Sequence, residues 1–452
     1  MSAAVVGVRG SRGRAWPPAG LAGLVALLAL ALLGLAAPLA RAATPTPEED
    51  PFYAYHGARP LAEIPPGTPL KSRTLAYHVA GLPLPVKVVQ LLYRSTGQTG
   101  EPTVNVTSVL EPPLSVATPS IVAYQSFYDS LNPDDEPSYA ISGGLSMGGL
   151  IPQVESLLIA PELAAGHTVV VADTEGERAA FAAGPEYGIN TLDSLRAALR
   201  SRATGLGETK KIAMIGYSGG AIATEWAAEL APSYAPGVGR RLVGSAFGGV
   251  LADPAHNLHY VDGSQMWAGV MPMALIGIAR AFHIDLTPYM SEYGRQLNQK
   301  LQKASITEVL GTYPGLTWAQ LAKPEYRNPE SIPVYVEVAN QLIMGTGGTP
   351  SAPLLIGQGA GGEVEGTPGD KPGIGPGDGV MIAGDVRTLA REYCERGVAV
   401  QYDEYEHLAH VEAALPWLAT AVPWLEARFA GQAAPQNCAA IPPGNPLTPI
   451  GG

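Results

Sequence analysis

The pentapeptide Gly216-Tyr217-Ser218-Gly219-Gly220 stands between an apolar run at residues 211–215 and a stretch of helical character at residues 221–230. A serine so placed sits on a sharp strand-to-helix turn. Glycines flank it because the backbone there is crowded and the next element lies close by. This arrangement, a nucleophile elbow, needs a buried strand feeding a helix, and it points to an α/β layer structure before any other residue is considered.

The chain ahead of the elbow agrees. Residues 86–95 and 103–110 are β-branched and apolar, and Thr96-Gly97-Gln98-Thr99-Gly100 separates them, which predicts a hairpin-like pair. Residues 119–127 and 168–172 read as short buried strands, and residues 192–202 as a helix with Asn190 or Thr191 as its N-cap. This alternation predicts an α/β fold with a largely parallel sheet. Between residues 249 and 340 the alternation lapses into helix-like, apolar sequence, most of all at residues 266–278. That stretch predicts a cap inserted over the sheet, with an ordinary buried helix as the alternative. Strand character returns at residues 352–357, and a glycine- and proline-rich loop runs on to Gly379. A helix at 380–396, a strand at 398–405 and a closing helix at 411–429 are expected after it. The expected organisation is a leader over residues 1–42, core segments 43–250 and 341–438 around a cap at 251–340, and a tail at 439–452.

Arg9, Arg12 and Arg14, an apolar stretch at 21–35 and Ala40-Arg41-Ala42 form the pattern of a secretory signal cleaved after Ala42. An uncleaved membrane anchor, leaving the protein attached to the cell envelope, is the alternative. Cleavage would remove four arginines and no acidic residue from a chain of net charge -12, which argues against nucleic acid and other polyanions as partners. The two cysteines, Cys394 and Cys438, suit a single disulfide in an exported chain, joining the C-terminal segment to a preceding helix; two buried thiols are the alternative. Two cysteines alone cannot build a zinc–thiolate site, and no H-E-x-x-H spacing occurs, so neither a catalytic metal nor a cofactor is expected.

The chain carries a second G-x-S-x-G, Gly144-Leu145-Ser146-Met147-Gly148, but no apolar strand precedes it, and Ser146 reads as a loop residue. A serine nucleophile needs a base and an acid that holds the base in the right tautomer, and on this fold the chain order is serine, acid, histidine. Of eight histidines, only His407 and His410 follow the strand expected to deliver the acid. His410 begins the closing helix, and His407 reads as a loop residue. The acid candidates are Asp370, Asp378 and Asp385. Asp378 lies just before the following helix, Asp385 within it, and Asp370 in the loop. An oxyanion hole needs two backbone N–H donors, one from Gly219 and one from the loop at residues 124–130. Asp129 in that loop is awkward beside a forming anion unless its side chain turns away. Asp173 and Glu175, between a strand and Gly176, read as groups that bond loop backbone.

Tyr124-Gln125 with Asp129-Ser130, Asp173-Thr174-Glu175-Gly176, the elbow, Gly377-Asp378-Gly379-Val380 and the last histidine together resemble the secretory lipase family, the lipase-A-like α/β-hydrolases of yeasts and actinobacteria. The resemblance spans residues 50–438. It implies an α/β-hydrolase fold with a mostly parallel central sheet and an inserted helical lid over an acyl-chain tunnel, and a disulfide in the C-terminal region. It implies Ser218, Asp378 and His410 as the catalytic triad, with Asp129 and Gly219 as oxyanion donors. The glycine-rich loop at 359–377 looks expanded relative to the family, and His407 is an extra histidine. The expected activity is that of a secreted serine ester hydrolase on acylglycerols or related acyl esters, touching the lipid–water interface through the cap. The rivals are an acyltransferase using the same triad and an inactive lipid-binding surface protein.

Overall fold

The computed structural model describes residues 44–114, 120–207 and 210–451. The expected signal and its cleavage point after Ala42 lie outside the described residues. No helix among those described is long and apolar enough to cross a membrane.

Among the described residues nine strands form one sheet: β1 (Pro69–Val79), β2 (Leu82–Thr96), β3 (Pro102–Leu110), β4 (Ile121–Gln125), β5 (Thr168–Ala172), β6 (Ile212–Tyr217), β7 (Leu242–Gly248), β8 (Leu354–Gly359) and β9 (Val400–Tyr405), in the order β1-β2-β3-β5-β4-β6-β7-β8-β9. β1, β2 and β3 pair antiparallel, as do β3 and β5; every pairing from β5 onward is parallel. The helices of nine or more residues are α1 (Ser156–Ala164), α2 (Gly184–Arg200), α3 (Gly219–Tyr234), α4 (Val270–Phe282), α5 (Glu292–Lys300), α6 (Pro333–Gln341), α7 (Ala383–Glu395) and α8 (His410–Phe429).

Successive strand residues face opposite sides of the sheet, and both sides are covered, so the central strands are apolar throughout. Ile121, Ala123, Ile212 and Met214 pack with residues of α2, α3 and α7, while Val122, Tyr124, Ala213 and Ile215 pack with residues of α1 and α8. α8 lies close against the sheet because two strand positions lack a Cβ. A Cβ at Gly357 would come within 2.3 Å of Trp417, and one at Gly248 within 3.0 Å. That close approach sets the height of His410 at the helix's first turn.

The expected hairpin is β2 and β3. Two strands were not anticipated. β1 is an edge strand whose Lys71 and Arg73 break the apolar pattern, and β7 carries Gly244 and Gly248, which lower β propensity. The helix expected at 192–202 starts at Gly184, about two turns earlier. Pro185 is tolerated in its first turn. Asn190 and Thr191 are therefore not caps but buried interior residues. Asn190 accepts from Ser95 Oγ at 2.6 Å and donates to the Thr174 carbonyl at 3.0 Å.

Between β7 and β8 the chain is helical and supplies most of a second apolar cluster, with Trp267, Met271, Met273 and Ile276 buried, which Leu131, Phe181 and Met381 join from outside the segment. Cys394 on α7 is disulfide-bonded to Cys438, 44 residues on. Residues 439–451 fold back on the core: Asn445 donates to Asp385 Oδ1 at 2.7 Å, and Ile450 N–H donates to Asn340 Oδ1 at 2.8 Å.

Candidate active site

β6 and α3 meet at Ser218, whose φ of 53° and ψ of -122° lie where few non-glycine residues go. The turn is over-determined by its neighbours. Ser218 N–H donates to the Gly248 carbonyl at 2.9 Å, and Ala221 N–H to the Ser218 carbonyl at 2.8 Å. A Cβ at Gly216 would fall 2.1 Å from the Gly220 carbonyl oxygen, and one at Gly220 would fall 2.1 Å from that of Gln125. Both positions need glycine for room, as the elbow requires.

His410 Nε2 lies 2.8 Å from Ser218 Oγ, and its Nδ1 lies 2.7 Å from Asp378 Oδ2. The structure thus brings Ser218, Asp378 and His410 together and leaves the other candidates apart. His407 is exposed in the turn before α8, and Asp370 is exposed in its loop. Asp385 lies in α7 and bonds His256 Nδ1 at 3.1 Å. Ser146 Oγ donates to the Asp134 carbonyl at 2.8 Å and accepts from Gly149 N–H at 3.1 Å.

Asp378 is fully buried. Its carboxylate accepts from Val380 N–H (3.1 Å), Met381 N–H (2.7 Å) and Gln358 Nε2 (2.9 Å), and its own carbonyl accepts from His410 N–H (2.7 Å). Acid and base are therefore locked through main chain as well as side chain. Tyr217 OH donates to the His410 carbonyl at 2.7 Å, and the Tyr217 and Trp267 rings each stand 5.2 Å from the imidazole. Burial opposes a charge on His410, but the Asp378 carboxylate, with Glu365 behind it, outweighs that and raises its pKa above the ordinary histidine value.

The loop after β4 carries Asp129, with φ 37°. Buried carboxylates pin it from several sides. Glu155 accepts from Phe127 N–H (3.0 Å) and Ser126 Oγ (2.5 Å), Glu175 from Ser130 N–H (3.0 Å), and Asp135 from Ser130 Oγ (2.6 Å). Glu175 thus holds loop backbone as expected, whereas Asp173 accepts from Ser138 N–H at 2.8 Å in the first turn of the short helix Pro137–Ile141. Among the described residues no hydrogen bond engages Asp129 N–H. Gly219 is the first residue of α3, where a helix leaves its N–H groups without intrahelical partners. The Asp129 carboxyl does not turn away to solvent. It is buried with Oδ1 against Gly219, 1.7 Å from where a Cβ there would stand. Burial pushes its pKa up to about 8, so the group is largely uncharged near neutral pH. The objection of like charge is met by protonation rather than by orientation.

Asp129, Ser218 and Gly219 line an apolar cavity, whose walls include Met271, Leu275 and Ile278 of α4 and Val338 and Leu342 at α6. The sequence reading missed Glu365, which accepts from Trp267 Nε1 at 2.6 Å and from Val411 N–H at 3.0 Å and so ties the glycine-rich loop to α8 beside His410. No spacing signals it, because its partners lie 98 and 46 residues away.

The family described as Secretory lipase matches residues 143–361. Lipase 4 of Candida albicans is 31% identical over 417 residues, covering 89% of this chain and 86% of that protein. A protein of Mycobacterium tuberculosis named as a probable inactive lipase is 30% identical over 393 residues, covering 85% and 83%. The crystal structure of Candida antarctica lipase A in its closed state superposes with a TM-score of 0.77 at 25% identity, over 90% of this chain and 91% of that one.

Proposed function

The chain belongs to the secretory lipase family and is a secreted carboxylic ester hydrolase, and from that premise we propose that it cleaves acyl esters through an acyl-enzyme on Ser218. The observation that carries this reading is the continuous line from Ser218 Oγ through the His410 ring to Asp378, at 2.8 and 2.7 Å. His410 Nε2 takes the Ser218 proton as Oγ attacks the acyl carbonyl, then returns it to the departing alkoxide. Asp378 accepts from Nδ1–H and so keeps Nε2 free to receive the proton. The carbonyl oxygen, negative in the tetrahedral intermediate, meets the N–H groups of Gly219 and Asp129. Water deprotonated by the same imidazole then releases the acid.

The apolar cavity beside Ser218 supports an acyl chain as the group held during the reaction, and acylglycerols as the substrate class. α4 turns Val270, Met271, Ala274, Leu275 and Ile278 toward that cavity. The same helix would lose little apolar burial by swinging from cavity to lipid, so we assign the segment between β7 and β8 the role of a lid that contacts the lipid–water interface. A leader removed after Ala42 would account for export.

A fluorophosphonate probe should label Ser218, identified by peptide mass. A series of p-nitrophenyl esters should show kcat/KM rising from acetate toward longer chains. Labelling at another serine would overturn the nucleophile assignment, and a flat or falling series would overturn the acyl cavity.

A further inference from the structure

At the N-terminal edge of the parallel strands, the opposite end from Ser218, three metal-ligating side chains converge outside the catalytic machinery. Glu162, His167 and Glu426 each offer a ligand atom, and those atoms all lie within 4.8 Å of one another. Glu162 stands in the last turn of α1, His167 just before β5, and Glu426 near the end of α8. The local fold sets the first two. α1 ends with Gly166 at φ 89° and His167 N–H donating back to the Glu162 carbonyl at 3.0 Å, the six-to-one bond of a Schellman turn, which folds the imidazole under the Glu162 side chain.

Two features go beyond clustering. Glu162 is only 3% exposed, its Oε1 has no hydrogen-bond partner, and one oxygen of its carboxyl lies within 4.8 Å of the ligand atoms of the other two groups. A carboxylate oxygen buried in this way is costly unless something positive meets it. The imidazole is also held in the manner of a metal-bound histidine. Its Nδ1 lies 2.5 Å from Ser120 Oγ, its ring stacks on Phe429 at 4.6 Å, and its Nε2 points at Glu426 Oε1, 2.6 Å away.

We propose that Glu162, His167 and Glu426 form a binding site for a divalent transition-metal cation of the zinc class. One imidazole and two carboxylates suit such a cation, whereas calcium and magnesium favour all-oxygen sets. The cation takes the place of the proton between Nε2 and Glu426, Nδ1–H then donates to Ser120 Oγ, and the Glu162 oxygen gains its missing partner. The Glu426 side chain is 44% exposed, which leaves a face open for water as a fourth ligand. The role is structural: the cation pins α8, whose first residue is His410, to α1 and the start of β5.

The test uses the purified full-length secreted chain, stripped with a chelator and titrated calorimetrically with zinc chloride. One equivalent should bind per chain, zinc should raise the melting temperature, and cobalt should give the absorption of a low-coordinate site. Glu162→Gln and Glu426→Gln should each weaken zinc binding at least about tenfold and abolish the thermal shift, while turnover of a short soluble ester stays at the parent level and reports an intact fold. Should Glu162→Gln not fold, the half-exposed Glu426→Gln decides alone. No saturable zinc binding, unchanged affinity in these variants, or calcium binding as tightly at the same residues would each overturn the proposal.

Discussion

Two pentapeptides of identical pattern lie 72 residues apart in this chain, around Ser146 and Ser218, and the fold treats them in opposite ways. Ser218 follows a strand paired in parallel on both sides, and the turn throws its Oγ toward His410. Ser146 follows a short helix and a turn, and its Oγ is spent on the backbone of Asp134 and Gly149. The pattern of letters is the same. What differs is the element before it, because only a strand in register with its neighbours sets the serine at the top of the sheet, where a base from another strand–helix junction can reach it. A nucleophile is therefore a property of topology before it is one of sequence.

The largest effect should separate the two serines outright. Ser218→Ala should lower kcat on a soluble p-nitrophenyl ester on the order of 10⁶-fold, as expected when one member of a unit acting together is lost. Ser146→Ala should leave kcat at the parent value. Activity surviving in the first variant and lost in the second would reverse the comparison.

The same contrast extends to the acids. Asp378→Asn should reduce kcat on the order of 10⁴-fold, since the amide can present the wrong group to Nδ1. Asp370→Asn, in an exposed loop position, should be silent; the converse result would place the acid in the glycine-rich loop.

How far these assignments were legible depended on whether the determining contacts were local. The elbow was readable because its strand, its glycines and its helix are adjacent in sequence, and chain order then left two histidines, of which His410 heads a helix. The state of Asp129 was not readable, because it comes from burial against Gly219, 90 residues away. Nor was the Glu162–His167–Glu426 cluster, whose third member lies 259 residues beyond His167. β1 and the first two turns of α2 were missed for a different reason. Charged edge residues in one and Gly184-Pro185 in the other carry local signals that tertiary packing overrides.

A smaller effect should distinguish how the two serine regions are held. The Cys394–Cys438 bridge closes a segment that contains His410, the partner of Ser218, and Ser146 lies outside it. In the chain-entropy description a loop of this length stabilises the native state by about 4 kcal/mol. Replacing both cysteines with serine should lower chemical-denaturation stability by about that much and leave kcat of the folded fraction unchanged. An unchanged midpoint would mean the C-terminal segment is held without the bridge.

The pH profile should belong to Ser218 alone, because its partner titrates while those of Ser146 are backbone groups. His410 acts as a base only when neutral, and its pKa lies above the ordinary histidine value of 6.5, so kcat/KM should fall with acidification through a midpoint above 6.5. At the alkaline side Asp129, with its pKa raised to about 8, becomes a carboxylate beside the oxyanion donors and should depress the rate. Asp129→Asn keeps the backbone N–H and removes that charge, so the alkaline limb should disappear while the acid limb stays. An alkaline limb that persists in the variant would show that Asp129 does not set it.

The smallest effect concerns Ser146 itself, and it tests whether its hydroxyl is structural. Oγ accepts from Gly149 N–H and donates to the Asp134 carbonyl, joining the turn before Leu150–Val154 to the segment that also holds Asp135. Asp135 in turn bonds Ser130 Oγ, next to Asp129. Removing the hydroxyl leaves one N–H and one carbonyl without these partners, at a half-buried site where water can replace part of the loss. Ser146→Ala should therefore cost about 1 kcal/mol of stability. Measured by denaturant midpoint, that shift should appear with no change in kcat/KM. A loss of activity without a loss of stability would instead mean that the Ser146 turn transmits its geometry to the oxyanion loop, and the two pentapeptides would then be coupled rather than merely alike.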